Sequence, residues 1–119
     1  MNKVILEGYL GHDPESRFTP DGAQWTKASL ATSNDYEDES GQYVKKPESW
    51  HNIVCFGYPA LVLAECRKGD IVHAEGEIQY DEWTDQNGNK RTGTKILCFV
   101  IEKKDKTINL NLHRRHFNA

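Results

Sequence analysis

The sequence predicts an all-β domain with one short helix, closed as a small β-barrel. Short stretches of alternating apolar and polar residues recur along the chain, clusters of Gly, Pro, Asn and Asp punctuate them, and a single stretch, residues 59–67, patterns as a helix. At 119 residues, with 37% apolar and 28% charged side chains, the chain suits one globular domain able to bury a core. It holds no run of about 18 apolar residues to span a membrane. The apolar stretch Val4-Ile5-Leu6 is too short for a signal peptide. A cytoplasmic location, and no membrane partner, is the expectation.

The elements follow in order. Val4, Leu6, Tyr9 and Leu10 outline a first strand, with Gly8 and Gly11 marking bends or bulges. Turn clusters at His12-Asp13-Pro14-Glu15 and Thr19-Pro20-Asp21-Gly22 bracket a short extended piece, Arg17-Phe18-Thr19. From Gln24 to Ser33, alternation turns Thr26, Ala28 and Leu30 inward and Trp25, Lys27 and Ser29 outward. Residues 34–47 are polar and acidic and read as a long hairpin loop. From Trp50 to Phe56, one face holds His51, Ile53 and Cys55, the other Trp50, Asn52, Val54 and Phe56.

Pro59 suits the first turn of the helix, Leu61, Val62, Leu63 and Cys66 supply its apolar positions, and Gly69 is expected to stop it. Asp70 to Trp83 is a long strand bent at Gly76. Asp85-Gln86-Asn87-Gly88 is a turn, because Asn-Gly favours the positive φ angles of tight hairpins. Thr92 to Ile101 forms the last barrel strand. Ile108, Leu110 and Leu112 then alternate as one further strand before a basic end. Residues 1–104 thus read as the barrel domain and 105–119 as a short extension. The order β-β-β-α-β-β fits a five-stranded OB barrel, a scaffold that grips single strands, and other small barrels share it.

The net charge of −3 does not advertise a nucleic-acid partner, but it is unevenly spread. Residues 1–89 carry 7 basic against 16 acidic side chains, and residues 90–119 carry 8 against 2. Local basic patches still steer phosphates when the total is negative. Cys55, Cys66 and Cys98 form no C-x-x-C pair, so neither a disulfide framework nor a zinc site is expected; Cys55 and Cys98 lie in apolar strand patterns as buried free thiols. His113 and His116 lack a third ligand nearby, and no metal or cofactor is expected.

These residues resemble a family. Asn2-Lys3-Val4-Ile5-Leu6, Gly8, Leu10-Gly11, Asp13-Pro14-Glu15, Arg17, Pro20-x-Gly22, Leu30-Ala31-Thr32-Ser33, Trp50-His51, Phe56-Gly57, Arg67-Lys68-Gly69, Glu75-Gly76 and Trp83-Thr84-Asp85-x-x-Gly88 stand in the order and spacing of the bacterial single-stranded DNA-binding proteins. The likeness covers roughly residues 2–101. It implies an OB fold, usually a homotetramer with a dimer as the alternative, that binds single-stranded DNA in replication, recombination or repair. It also implies stacking positions at Tyr36, Trp50, Phe56 and Trp83. Flat rings suit sequence-independent binding because every base has a face to stack, at about 1–3 kcal/mol per base. Lys3, Arg17, Lys45, Lys46, Lys68 and Arg91 are the candidate phosphate contacts. His51, with Val4 and Leu6 of the first strand, is the expected subunit contact. Trp25 is an additional outward aromatic, open as a fifth platform or an oligomer contact.

Several positions depart from the resemblance. Gln79, Asp81 and Glu82 stand where a basic cluster is common, Asn52 and Tyr58 replace basic residues, and the loop Asp35-Tyr36-Glu37-Asp38-Glu39 is unusually acidic. No Gly/Pro/Gln-rich linker or acidic tip follows, so recruitment of other proteins by that route is not expected, and a paralogue from a phage, plasmid or other mobile element suits the pattern. The acidic positions leave open a second class, an OB module for protein contacts of the primosomal type with weak or no DNA binding. An enzyme is not expected: the clustered carboxylates of residues 35–39 lie on a loop without a rigid partner, and no nucleophile elbow or P-loop is visible.

Overall fold

Alternating burial fixes which way each strand faces, and the pairing then closes the strands into a ring. The computed structural model describes residues 1–104; the further strand and basic end read from residues 105–119 lie outside the described residues. The elements are β1 (Val4–Leu10), β2 (Glu15–Phe18), β3 (Gln24–Thr32), β4 (Tyr36–Glu37), β5 (Tyr43–Val44), β6 (Ser49–Phe56), α1 (Tyr58–Ala64), β7 (Ile71–Thr84) and β8 (Lys90–Lys104). β1 runs antiparallel to β7, and β7 to β8. β8 lies parallel to β6, and β6 antiparallel to β3. β3 returns to β1 through Tyr9↔Ala31 and Leu10↔Leu30. That closure makes the five-stranded OB barrel. β2 pairs with the start of β3, and β4 with β5 as a separate small ladder in the long loop.

Thr26, Ala28 and Leu30 of β3 point inward as expected, and Ala28 and Leu30 join Ile53 and Cys55 of β6, Val72 and Ala74 of β7, and Ile96, Cys98 and Ile101 of β8 in one core. Ala60 and Leu63 of α1 cap this core from one side. Burying a leucine or isoleucine side chain contributes about 1.5–3 kcal/mol over leaving it exposed. Thr26 is the buried polar residue among the described ones. Its hydroxyl donates to the Ala60 carbonyl at 2.9 Å and accepts from Ser16 Oγ at 2.9 Å, which offsets its desolvation and ties α1 to β3. Gly76 sits at a bulge between β7 and β8, the expected bend.

One local expectation is corrected. The helix ends at Ala64, well before Gly69. Its end is settled by Arg67, whose guanidinium donates to the carbonyls of Ala64 (2.9 Å) and Cys66 (2.8 Å). Gly69 instead donates its N–H to the Leu10 carbonyl at 2.8 Å. The expected turn at Asp85-Gln86-Asn87-Gly88 is present: the Gly88 N–H donates to the Asp85 carbonyl at 3.1 Å, and Thr84 pairs with Lys90 around it. Only Gly88 there takes a positive φ, 80°. The Asp85 carboxylate accepts from the N–H groups of Asn87 and Asn89, both at 2.9 Å, and so organises a wider loop than Asn-Gly alone would close.

Candidate nucleic-acid interface

The register of β2, β3, β6 and β8 gives the barrel one continuous outward face. Arg17 stands opposite Trp25, and Trp25 opposite Phe56, in a single row across three strands. Glu15, Lys27 and Val54 form the next row, followed by Ser29 with Asn52, and Ala31 with Trp50. A groove of about 700 Å³ lies on this face. Its floor includes Trp25, Phe56 and Val54, and its rim includes Lys27, Lys95 and His12.

Trp50 and Phe56 occupy the same face of β6, six residues apart, so about 20 Å separates them at roughly 3.3 Å per residue. They are 54% and 50% exposed. Trp50 is held from two sides. Tyr9 meets its ring edge-on, with centroids 6.0 Å apart and planes at 82°. Gly11 lies against its rim: a Cβ there would fall 2.4 Å from Trp50 Cζ3. The Tyr9 hydroxyl donates to Glu48, and that bond to a carboxylate raises the phenol's pKa above its ordinary value.

Trp83, 51% exposed, lies near the tip of the β7–β8 arm with its ring across Gly93. The face it shares continues through Asp81 and Gln79, opposite Gly93 and Lys95, back to the groove rim. Tyr36 is 49% exposed but belongs to the β4–β5 ladder, and its ring is not among the groove-lining side chains. Lys46 Nζ lies 5.7 Å from the Tyr36 ring centroid, a cation–π contact. Of the four expected stacking rings, Phe56 lines the groove, while Trp50 and Trp83, like Tyr36, are not among its lining residues.

The cations around this face are held by acidic side chains. Arg17 Nη2 is 2.6 Å from Glu15 Oε1, and Lys27 Nζ is 3.6 Å from the other Glu15 oxygen. Lys95 Nζ is 3.2 Å from Asp81, and Arg91 Nε 2.8 Å from Asp85. The Arg17 contact, then Lys27, lowers the Glu15 pKa; the Asn89 N–H, then Arg91, lowers that of Asp85. Lys3, Lys45 and Lys68 are exposed and do not line the groove.

The residues expected at a subunit contact divide. Val4 and Leu6 pack against the core, which leaves Ile5 and Glu7 as the outward side chains of β1. His51 is half-buried, with Nε2 2.8 Å from Thr32 Oγ1. Glu7 faces out, as an unpaired buried carboxylate could not, and lies 3.3 Å from His73 Nδ1. Among the described residues no group of three or more His, Cys, Asp or Glu side chains is placed to share a metal ion. No helix among them is long and apolar enough to cross a membrane.

Sequence reasoning left three features of this face unread. The pairing of Trp25 with Phe56 depends on the β3–β6 register, which neither strand's own pattern encodes. Lys95 looked like one more alternating residue of a long strand. The acidic partners Glu15, Asp81 and Asp85 looked like lost basic positions or turn residues, when each holds a neighbouring cation.

A family model described as the single-strand binding protein family matches residues 1–103. Among solved structures, the chain is similar to a deletion mutant of the single-stranded DNA binding protein from Thermus aquaticus, at 27% identity with a TM-score of 0.74. That match covers 89% of this chain and 51% of the other, so the chain spans about half of that protein's length.

Proposed function

The chain belongs to the single-strand binding protein family, and we propose that it binds single-stranded DNA without regard to sequence, bases stacking on its outward rings while rim cations hold phosphates. The observation that carries this reading is the exposure of Trp50, Phe56 and Trp83, each about half open to water. A folding chain gains by burying rings of this size. Rings left open on one side, beside a groove with cations on its rim, suit a ligand with alternating flat bases and anions. Residues 1–104 are the binding unit, and the activity is binding rather than catalysis, in replication, recombination or repair within a bacterial cytoplasm.

Tyr36 joins this surface from the loop, with Lys46 beside it. Arg17 and Arg91 are the phosphate contacts closest to the rings; Lys3, Lys45 and Lys68 act at longer range. The chain works as a homo-oligomer, a tetramer or dimer. Support comes from β1: β7 pairs with Val4 to Tyr9, yet β3 pairs only with Tyr9 and Leu10, so one edge of residues 4–8 has no partner strand among the described residues. Sedimentation at micromolar concentration tests the assembly, and a clean monomer contradicts it.

A second reading, a protein-contact module of the primosomal type, is favoured by the carboxylates that hold Arg17, Lys27, Lys95 and Arg91. Competition between labelled oligo-dT and an unlabelled duplex of equal length separates the two. The single-strand reading predicts tight oligo-dT binding that duplex competes for poorly; no oligo-dT binding at low salt favours the second.

A further inference from the structure

We propose that Trp25, with Arg17 and Lys27 beside it, widens the Phe56 stacking position into a two-ring nucleotide subsite at the β2 end of the groove. There a base lies on the two rings and a phosphate takes the place now held by the Glu15 carboxylate. The inference rests on the single-stranded DNA reading and adds Trp25 to the stacking positions at 36, 50, 56 and 83.

The register supplies the platform. Trp25 and Phe56 are directly opposite in the β3–β6 ladder, so their Cβ atoms stand about 4.5–5.5 Å apart. That spacing is too close for a base to insert between the rings and right for one surface wide enough to take it. Both rings line the groove, so the platform faces open space rather than another layer of protein. Trp25 also bears a cation: Arg17 Cζ lies 5.9 Å from its ring centroid. A guanidinium beside a ring is the pairing that holds a base and its phosphate together.

Glu15 marks the anion position. One of its oxygens lies 2.6 Å from Arg17 Nη2 and the other 3.6 Å from Lys27 Nζ. Two cations from two strands thus converge on a single oxyanion, and both stand on the face that carries the rings. Arg17 and Lys27 remain 64% and 53% exposed, so a phosphate reaches them from solvent. The Glu15 carboxylate is then an internal competitor, swung aside when DNA enters. Its lowered pKa keeps it anionic through the neutral range.

The test uses the full chain and oligo-dT. Trp25→Leu is expected to weaken binding about 5- to 100-fold, the range for losing one stacked base, with Trp25→Phe restoring most of it. Glu15→Gln is expected to act oppositely, tightening binding about two- to fivefold and steepening its salt dependence. Tightening is a result that a purely structural Glu15 would not give. If Trp25→Leu fails to fold, Glu15→Gln, an exposed change, carries the test alone. Wild-type binding with both variants within twofold of it overturns the subsite and leaves the general reading standing. A wild-type chain that does not bind oligo-dT overturns the general reading first, and the subsite with it.

Discussion

The Lys95 ammonium, on the groove rim, is held 3.2 Å from the Asp81 carboxylate on the arm that carries Trp83. This contact joins the arm's face to the groove and also occupies a cation that a phosphate would otherwise reach. Asp81→Asn is therefore expected to tighten oligo-dT binding and to steepen the plot of log affinity against log salt by about 0.7, one single-strand phosphate contact. An unchanged slope across a salt series would show that Lys95 does not meet the backbone.

Gly11 sets the position of Trp50, since any side chain there meets the indole rim. Gly11→Ala should push the ring off its seat against Tyr9 and weaken oligo-dT binding by up to about 3 kcal/mol, the upper range for a lost stack. The melting temperature should move much less than the affinity, because the clash is with an exposed side chain. Measuring both on one preparation separates the two effects.

Among the rings themselves, Phe56→Ala and Trp83→Ala are each expected to cost about 1–3 kcal/mol of binding. Tyr36→Ala should cost less, since Tyr36 stands on the separate β4–β5 ladder and not on the groove face. Equal losses at all three positions would place the loop on the strand's main path.

The strands were legible because burial alternates cleanly at Thr26, Ala28 and Leu30 and again at Ile53 and Cys55, a period of two that a single strand displays by itself; which barrel they close into came from the family resemblance. That Trp50 and Phe56 share one face of their strand followed from the same alternation; that this face is the open one followed from the family resemblance. Illegible were the features that pairing between strands creates: Trp25 against Phe56, Glu15 between Arg17 and Lys27, and Lys95 against Asp81. The helix end was not legible: the pattern runs on to Arg67, but the helix stops at Ala64, and the Arg67 side chain satisfies the carbonyls of Ala64 and Cys66 from beyond it.

His73 gives the fold a pH dependence. Its Nε2 lies 2.8 Å from Glu75, and its Nδ1 3.3 Å from Glu7. Glu102, its register partner on β8, pairs with Lys104. The Glu75 hydrogen bond, and then Glu7, raise the His73 pKa against the opposing pull of burial. Its stabilising contribution is therefore full below the ordinary histidine value and fades as pH rises through the raised one. Glu75, whose pKa His73 lowers, contributes above the ordinary carboxylate range and fades as pH falls through its own lowered value. The melting temperature should thus be higher near about pH 6 than near about pH 8.5, with a smaller difference in His73→Gln. An identical difference in that variant would assign the pH dependence elsewhere.

Cys55 and Cys98 lie in the core, where burial pushes both thiols up to about 12. Cys66, also buried, is raised by the same cause. Native protein at about pH 8 should therefore react slowly with a thiol-specific disulfide reagent and label fully only in denaturant. Rapid labelling of the native chain would mean that the barrel opens far more readily than its packing implies.

The most direct measurement is tryptophan fluorescence during an oligo-dT titration at low and at near-physiological salt. Quenching at both, with affinity falling less steeply with salt than several free phosphate contacts would give, is the result expected when rings lie against bases and carboxylates already hold the nearby cations. Fluorescence unchanged by oligo-dT even at low salt, on protein shown to be folded, would contradict it.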